Sequence, residues 1–204
     1  MLEKVAHFLS FVFSPLLVPT YGVVIALNTT VLSVLSAGVK WGVPSVTLLI
    51  TCVMPMIAIG IMWKLGKVKD FGLNNRTERT VPYLVVTTCY LLCGIYLYKV
   101  HAPIWLVMFM CGAVLAAIVS QIVNRWWKIS AHMTAMGGLL AITMNIALSD
   151  FAVCDMMWVV CGVILCCGLV GTARVGLQRH TFGQVAAGTI NGFVCVTLLS
   201  YLIK

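Results

Sequence analysis

Two segments of this 204-residue chain set polar, reactive side chains at the head of apolar stretches: Ser130 and His132 before one, Arg174 and His180 before another. Lipid disfavours such groups, so Arg and His at the edge of an apolar span mark chemistry more often than filler. The cations gather in three segments, residues 67–79 (KVKDFGLNNRTER), 125–132 (RWWKISAH) and 174–180 (RVGLQRH). Only five carboxylates exist in the whole chain. Glycoside hydrolysis and aspartyl proteolysis need carboxylate pairs, and Mg²⁺ or Ca²⁺ sites need acidic oxygen clusters, so neither chemistry fits. An anion bound by Lys and Arg without a metal fits better. Phosphoryl transfer asks for positive groups on the nonbridging oxygens, an in-line nucleophile and an acid for the departing alkoxide. Two histidines can fill the last two roles, because imidazole both attacks and donates near neutral pH.

The elements that must position these groups are helices in a membrane. Apolar residues make up 62% of the chain and charged residues 9%, which lies far outside the soluble range. A net charge of +8 raises the question of nucleic acid, but the basic residues sit in short loops between apolar spans and form no continuous patch with stacking aromatics. No nucleic-acid partner is expected. Eight of the nine cysteines (Cys52, Cys89, Cys93, Cys111, Cys161, Cys166, Cys167 and Cys195) fall inside apolar runs, where a thiol acts as a small hydrophobe. Adjacent Cys166 and Cys167 lack a neighbouring His or carboxylate, so a metal there is not expected.

A helix needs about 20 apolar residues to cross the hydrocarbon core. That length finds seven candidates, near 5–29, 42–63, 81–99, 102–123, 131–149, 156–173 and 182–203. Pro15 and Pro19 predict that the first is broken or partly re-entrant, since each removes a backbone donor. The expected fold is all-α: one integral membrane domain over residues 1–204, a polytopic bundle of six to seven transmembrane segments. Glu3 and the lack of a small-residue cleavage site argue against a signal peptide.

Two candidate helices separate the first cationic segment from the second, and two more separate the second from the third. All three therefore fall on one membrane face. Lys4, Lys64, Lys67, Lys69, Arg76, Arg79, Arg125, Lys128, Arg174 and Arg179 share that face, against Lys40, Lys99 and Lys204 opposite. The positive-inside rule then predicts a cytoplasmic site face; the expected location is a bacterial inner membrane.

At these residues the chain resembles the type 2 phosphatidic acid phosphatase superfamily, membrane lipid phosphatases related to vanadium haloperoxidases. The family signature is K-x6-R-P, P-S-G-H and S-R-x5-H-x3-D. Lys69 and Arg76 match the first element, with Thr77 in place of proline; Ser130 and His132 match the second, with Ile129 and Ala131 at the other positions. Arg174 and His180 keep the spacing of the third, with Ala173 and Gln184 replacing serine and aspartate. The resemblance spans residues 69–184 and implies a phosphatidic acid phosphatase type 2-like bundle acting in lipid metabolism. It implies that His180 attacks phosphorus to form a phosphohistidine and that His132 protonates the leaving lipid alkoxide. Lys69, Arg76, Arg174 and Ser130 would hold the phosphate, with Arg79 a second candidate in the first loop. No metal or organic cofactor is implied, and the partners would be a lipid phosphate substrate and membrane lipids.

Gln184 is the consequential departure. One helical turn from His180, its amide oxygen can accept the histidine's hydrogen bond but cannot supply a charge. The alternative reading is a noncatalytic lipid-phosphate binder or transporter on the same scaffold. Simpler roles exist for individual residues as well: Arg125, Lys128 and Arg179 as snorkelling anchors, His7 and His101 as interfacial or structural groups, and His132 with His180 as packing histidines. Asp70 and Glu78 stand as solvated partners for nearby cations or as a substitute for the missing acid. The small residues around Gly137 and Gly138 are read as helix packing.

Overall fold

The computed structural model of the protein describes residues 2–66 and 80–201. Those residues form nine α-helices: α1 (Leu2–Val12), α2 (Val18–Thr29), α3 (Ala37–Leu48), α4 (Met54–Lys64), α5 (Thr80–Lys99), α6 (Ile104–Val123), α7 (Ala131–Ala147), α8 (Met157–Gly176) and α9 (Phe182–Tyr201). No strand is present among them; a lone bridge joins Thr30 to Ala152. Five helical stretches are long and apolar enough to cross a membrane: 37–64, α5, α6, α8 and α9; α2 and α7 are apolar but shorter. Large side chains such as Leu91, Ile95, Leu165, Leu169 and Ile190 are exposed along these helices, as expected of surfaces solvated by lipid. This is an integral membrane helical bundle.

Prolines shape its first half. The first apolar stretch, expected near 5–29, is broken into α1 and α2 by an elbow at residues 13–17. Within the bilayer core each freed carbonyl needs a donor, and the bundle supplies three. Tyr21 Oη donates to Val12 O at 2.8 Å, Tyr90 Oη to Pro15 O at 2.5 Å, and Thr51 Oγ1 to Leu16 O at 3.1 Å. Pro15 O is open because Pro19, one turn on, has no N–H to give it. A second proline effect appears where α3 meets α4. Pro55 has no N–H for the carbonyl one turn back, and there the helix widens into a π turn, Leu49–Val53, with Met54 N–H reaching Leu49 O.

The second half is packed by contact between backbones. α7 and α9 form the closest pair, because Gly188 and Gly192 face α7 without a side chain between them. A Cβ on Gly192 would overlap Thr134 O, and one on Gly188 would lie 2.6 Å from Ser130 O. Such small-xxx-small spacing is how membrane helices approach when no hydrophobic force drives them together. Gly137, expected to serve packing, meets the same helix at Thr189. Between α5, α6 and α7 the core is filled by Leu97, Leu106, Met110, Met136, Ile142 and Ile146, all fully buried.

Candidate active site

α8 ends at Gly176, and the way it ends aims His180. Gln178 takes a left-handed conformation, φ 53°; its N–H reaches Val175 O at 2.8 Å while Arg179 N–H reaches Arg174 O at 3.1 Å. This paired closure is a Schellman motif, with Gln in the place glycine usually fills. The turn between α5 and α6 repeats it with His101 at φ 58°, which gives that histidine a backbone role.

After the turn, α9 starts with a capping box. Gln184 N–H donates to Thr181 Oγ1 at 3.4 Å, and Thr181 N–H donates back to Gln184 Oε1 at 3.3 Å. Because a backbone N–H needs an acceptor, that contact identifies the side-chain atom as the amide oxygen. The same oxygen lies 3.0 Å from His180 Nδ1, so Nδ1 carries the proton. A neutral His180 in this tautomer holds its lone pair on Nε2, the nitrogen able to attack. The ring is 6% exposed.

The second motif segment docks directly onto this one. Ser130 N–H donates to Gln184 O at 3.3 Å, and the Ser130 carbonyl accepts from Thr134 Oγ1 at 3.1 Å. Thr134 belongs to a chain of buried polar groups. Asn191 Nδ2 donates to Ser120 Oγ at 3.0 Å and also reaches Ala116 O at 3.0 Å; Ser120 Oγ stands 3.4 Å from Thr134 Oγ1. Since the Thr134 proton is committed to Ser130, Ser120 is the donor to Thr134. The chain ties α6, α7 and α9 together beneath the loop that carries Ser130.

Ser130 itself departs from the expected role in one respect. Its hydroxyl is fully buried, has no hydrogen-bond partner among the described residues and does not line the cavity described next. It caps α7 in position but not by a side-chain hydrogen bond.

His132, Arg174 and His180 line one cavity of about 480 Å³, bounded by the α1–α2 elbow, α4, α5, α6, α7 and Val196 of α9. The start of α5 also borders this region, where Pro82 and Tyr83 line the wall. Lys69, Arg76 and Arg79, with Asp70 and Glu78, lie outside the described residues. Arg125 is exposed and Lys128 and Arg179 half-buried; none of the three lines the cavity.

One component carries no motif in the sequence. Ser10, near the end of α1, meets two of the three motif side chains: its carbonyl is 3.0 Å from His132 Nε2, and its hydroxyl accepts from Arg174 Nη1 at 3.4 Å. A carbonyl only accepts, so His132 carries a proton on Nε2. Ser10 O is open because Ser14 N–H turns to Phe11 O at 3.2 Å ahead of Pro15. A weak sequence signal does exist: a serine in an apolar helix, just over one turn before a proline.

The donor set is nitrogen-rich and poor in oxygen or thiolate ligands. No group of three or more His, Cys, Asp or Glu side chains gathers among the described residues. What the arrangement can do chemically is receive an anion at Arg174, offer an unprotonated imidazole nitrogen at His180, and offer a protonated one at His132. Compared with protein families, curated proteins and solved structures, the chain matches none.

Proposed function

We propose that the protein is a metal-independent lipid phosphate phosphatase, a hydrolase of phospholipid metabolism with a type 2 phosphatidic acid phosphatase-like site. The observation that carries this reading is the meeting of His132, Arg174 and His180 at one cavity whose other described walls are mostly apolar. Such a site suits a molecule with an anionic head and a hydrocarbon tail. His180 Nε2 attacks phosphorus, forming an N–P bond as the P–O bond to the lipid breaks. His132, as the imidazolium, gives its Nε2 proton to the departing alkoxide and becomes neutral, and water then cleaves the phosphohistidine to release inorganic phosphate. Arg174 neutralises charge on the phosphoryl oxygens, joined on this reading by Lys69, Arg76 and Arg79. With six or seven crossings, the site faces the cytoplasm from a bacterial inner membrane.

Gln184 favours a second reading. It orients His180 but supplies no negative charge to stabilise the imidazolium, as a noncatalytic lipid-phosphate binder or transporter would tolerate. Phosphate release from a panel of lipid phosphates and diphosphates separates the two. Release that persists with a chelator and disappears in His180→Ala is expected. No release from any lipid by folded protein that still binds phospholipid would overturn the phosphatase in favour of the binder.

A further inference from the structure

We infer that Phe109 is a length stop for the substrate's hydrocarbon chain, so that the cavity takes one tail of about the length of a single leaflet. The inference rests on the lipid-phosphate reading of the site and specifies which lipids it accepts.

The cavity's α6 wall is a single stripe: Phe109, Ala113, Ala116, Ala117 and Ser120. Four of these side chains are small, and Gly138 faces them from α7. The empty space exists because these positions carry so little volume. Descending α6 from the loop that bears the reactive groups, the first large side chain met in the stripe is Phe109. From Ser120 to Phe109 is eleven residues, or about 16 Å at 1.5 Å per residue. That is close to half of a hydrocarbon core about 30 Å thick.

The Phe109 ring is also backed by main chain. It is 3% exposed, and a Cβ built on Gly22 of α2 would lie 2.7 Å from its Cζ. α2 therefore lies directly against the ring tip, at a position where only glycine leaves room. A tail that reaches Phe109 cannot push it aside without moving α2. On the α9 side, Val196 closes the same depth, 1% exposed.

A tail entering from a bilayer or micelle is already out of water, so its burial brings little hydrophobic gain, and selection comes from fit. A short tail leaves part of the cavity without contacts, a modest loss. An overlong tail must fold back or displace packed atoms, which costs more.

The test measures kcat/KM for octyl, dodecyl, hexadecyl and docosyl monophosphates with the whole protein in detergent. Wild type is expected to work best near hexadecyl and to discriminate against docosyl by about tenfold. Phe109→Leu should raise the docosyl-to-hexadecyl ratio several-fold. Ala113→Leu, which moves the stop one turn nearer the site, should shift the optimum to dodecyl or octyl; it keeps the Phe109 packing, so a misfolded Phe109 variant does not decide the matter. An identical length profile in folded Ala113→Leu and wild type overturns the length stop while leaving the phosphatase standing. If wild type hydrolyses none of the four, the stop is read from protection against thermal unfolding by the same compounds, and the phosphatase falls if the lipid phosphates and diphosphates of the wider panel also release nothing. A binding optimum that shifts in the variants supports it, and one that stays fixed, or no binding at all, overturns it.

Discussion

The side-chain oxygen of Gln184 accepts from both the His180 ring and the Thr181 amide, so one residue orients the reactive imidazole and caps α9. This bears on how a missing charge is best restored. Gln184→Glu keeps the reach needed for both contacts and adds a carboxylate beside Nδ1, which favours the cationic ring that develops during attack. In a serine protease, loss of the carboxylate that orients the catalytic histidine costs about 10⁴ in rate; we expect a gain of at least about tenfold in phosphate release here. Gln184→Asp carries the charge but is one methylene shorter, and should lose about 1 kcal/mol from the weakened box. Measuring both rates alongside thermal unfolding separates orientation from charge: equal rates in Gln184→Glu and wild type would dismiss the electrostatic role. The His180–Gln184 contact was legible in the sequence because four residues make one turn of helix. The capping box is written there too, as T-x-x-Q across Thr181 and Gln184. The burial of Ser130 was not legible, since spacing says nothing of which way a hydroxyl faces once two loops dock.

Helix boundaries followed from apolar length and proline position, two local properties. Six of the seven expected stretches reappear with ends shifted by a few residues, and the broken first one matches its prolines. What the pattern did not carry was which helices touch. Gly188 and Gly192 stand four apart in the sequence, but their consequence, main chain against main chain beneath both motif loops, depends on the partner helix. Gly192→Ala drives a methyl into Thr134 O, so α7 and α9 must separate. The expected result is a loss of about 3 kcal/mol or more, or failure to fold. Gly162→Ala on α8, where nothing lies within 4 Å, is the matched control and should unfold close to wild type. Thermal melting of both in one detergent checks the contrast; equal melting would mean that the α7–α9 contact yields without cost.

At the scale of the whole molecule there is a site end, where the α6–α7 and α8–α9 loops join, and an opposite end, where Thr30 pairs with Ala152. Cys154 lies exposed in the α7–α8 loop at that opposite end. A membrane-impermeant thiol reagent reacts with thiols that reach water as thiolates, so intact cells should label Cys154 if the site face is cytoplasmic, and Cys154→Ser should abolish the label. Labelling that requires broken cells would reverse the orientation drawn from loop charge. The sequence placed both motif loops on one face by counting crossings, a global inference that needed only parity. It could not place α1, because the link from Ser10 to His132 and Arg174 joins residues more than a hundred positions apart and depends on the elbow. That link has its own outcome for occupancy. A phosphate arriving at Arg174 and His132 finds both already hydrogen-bonded to Ser10, and so replaces contacts in place of making them anew. On the lipid-phosphate reading the head group must displace these Ser10 contacts as it docks, and free phosphate, lacking a tail, should bind more weakly than the intact lipid. If the site is a phosphatase, the chain's own serine competes with the product at His132 Nε2 and one Arg174 N–H, which should favour release of free phosphate.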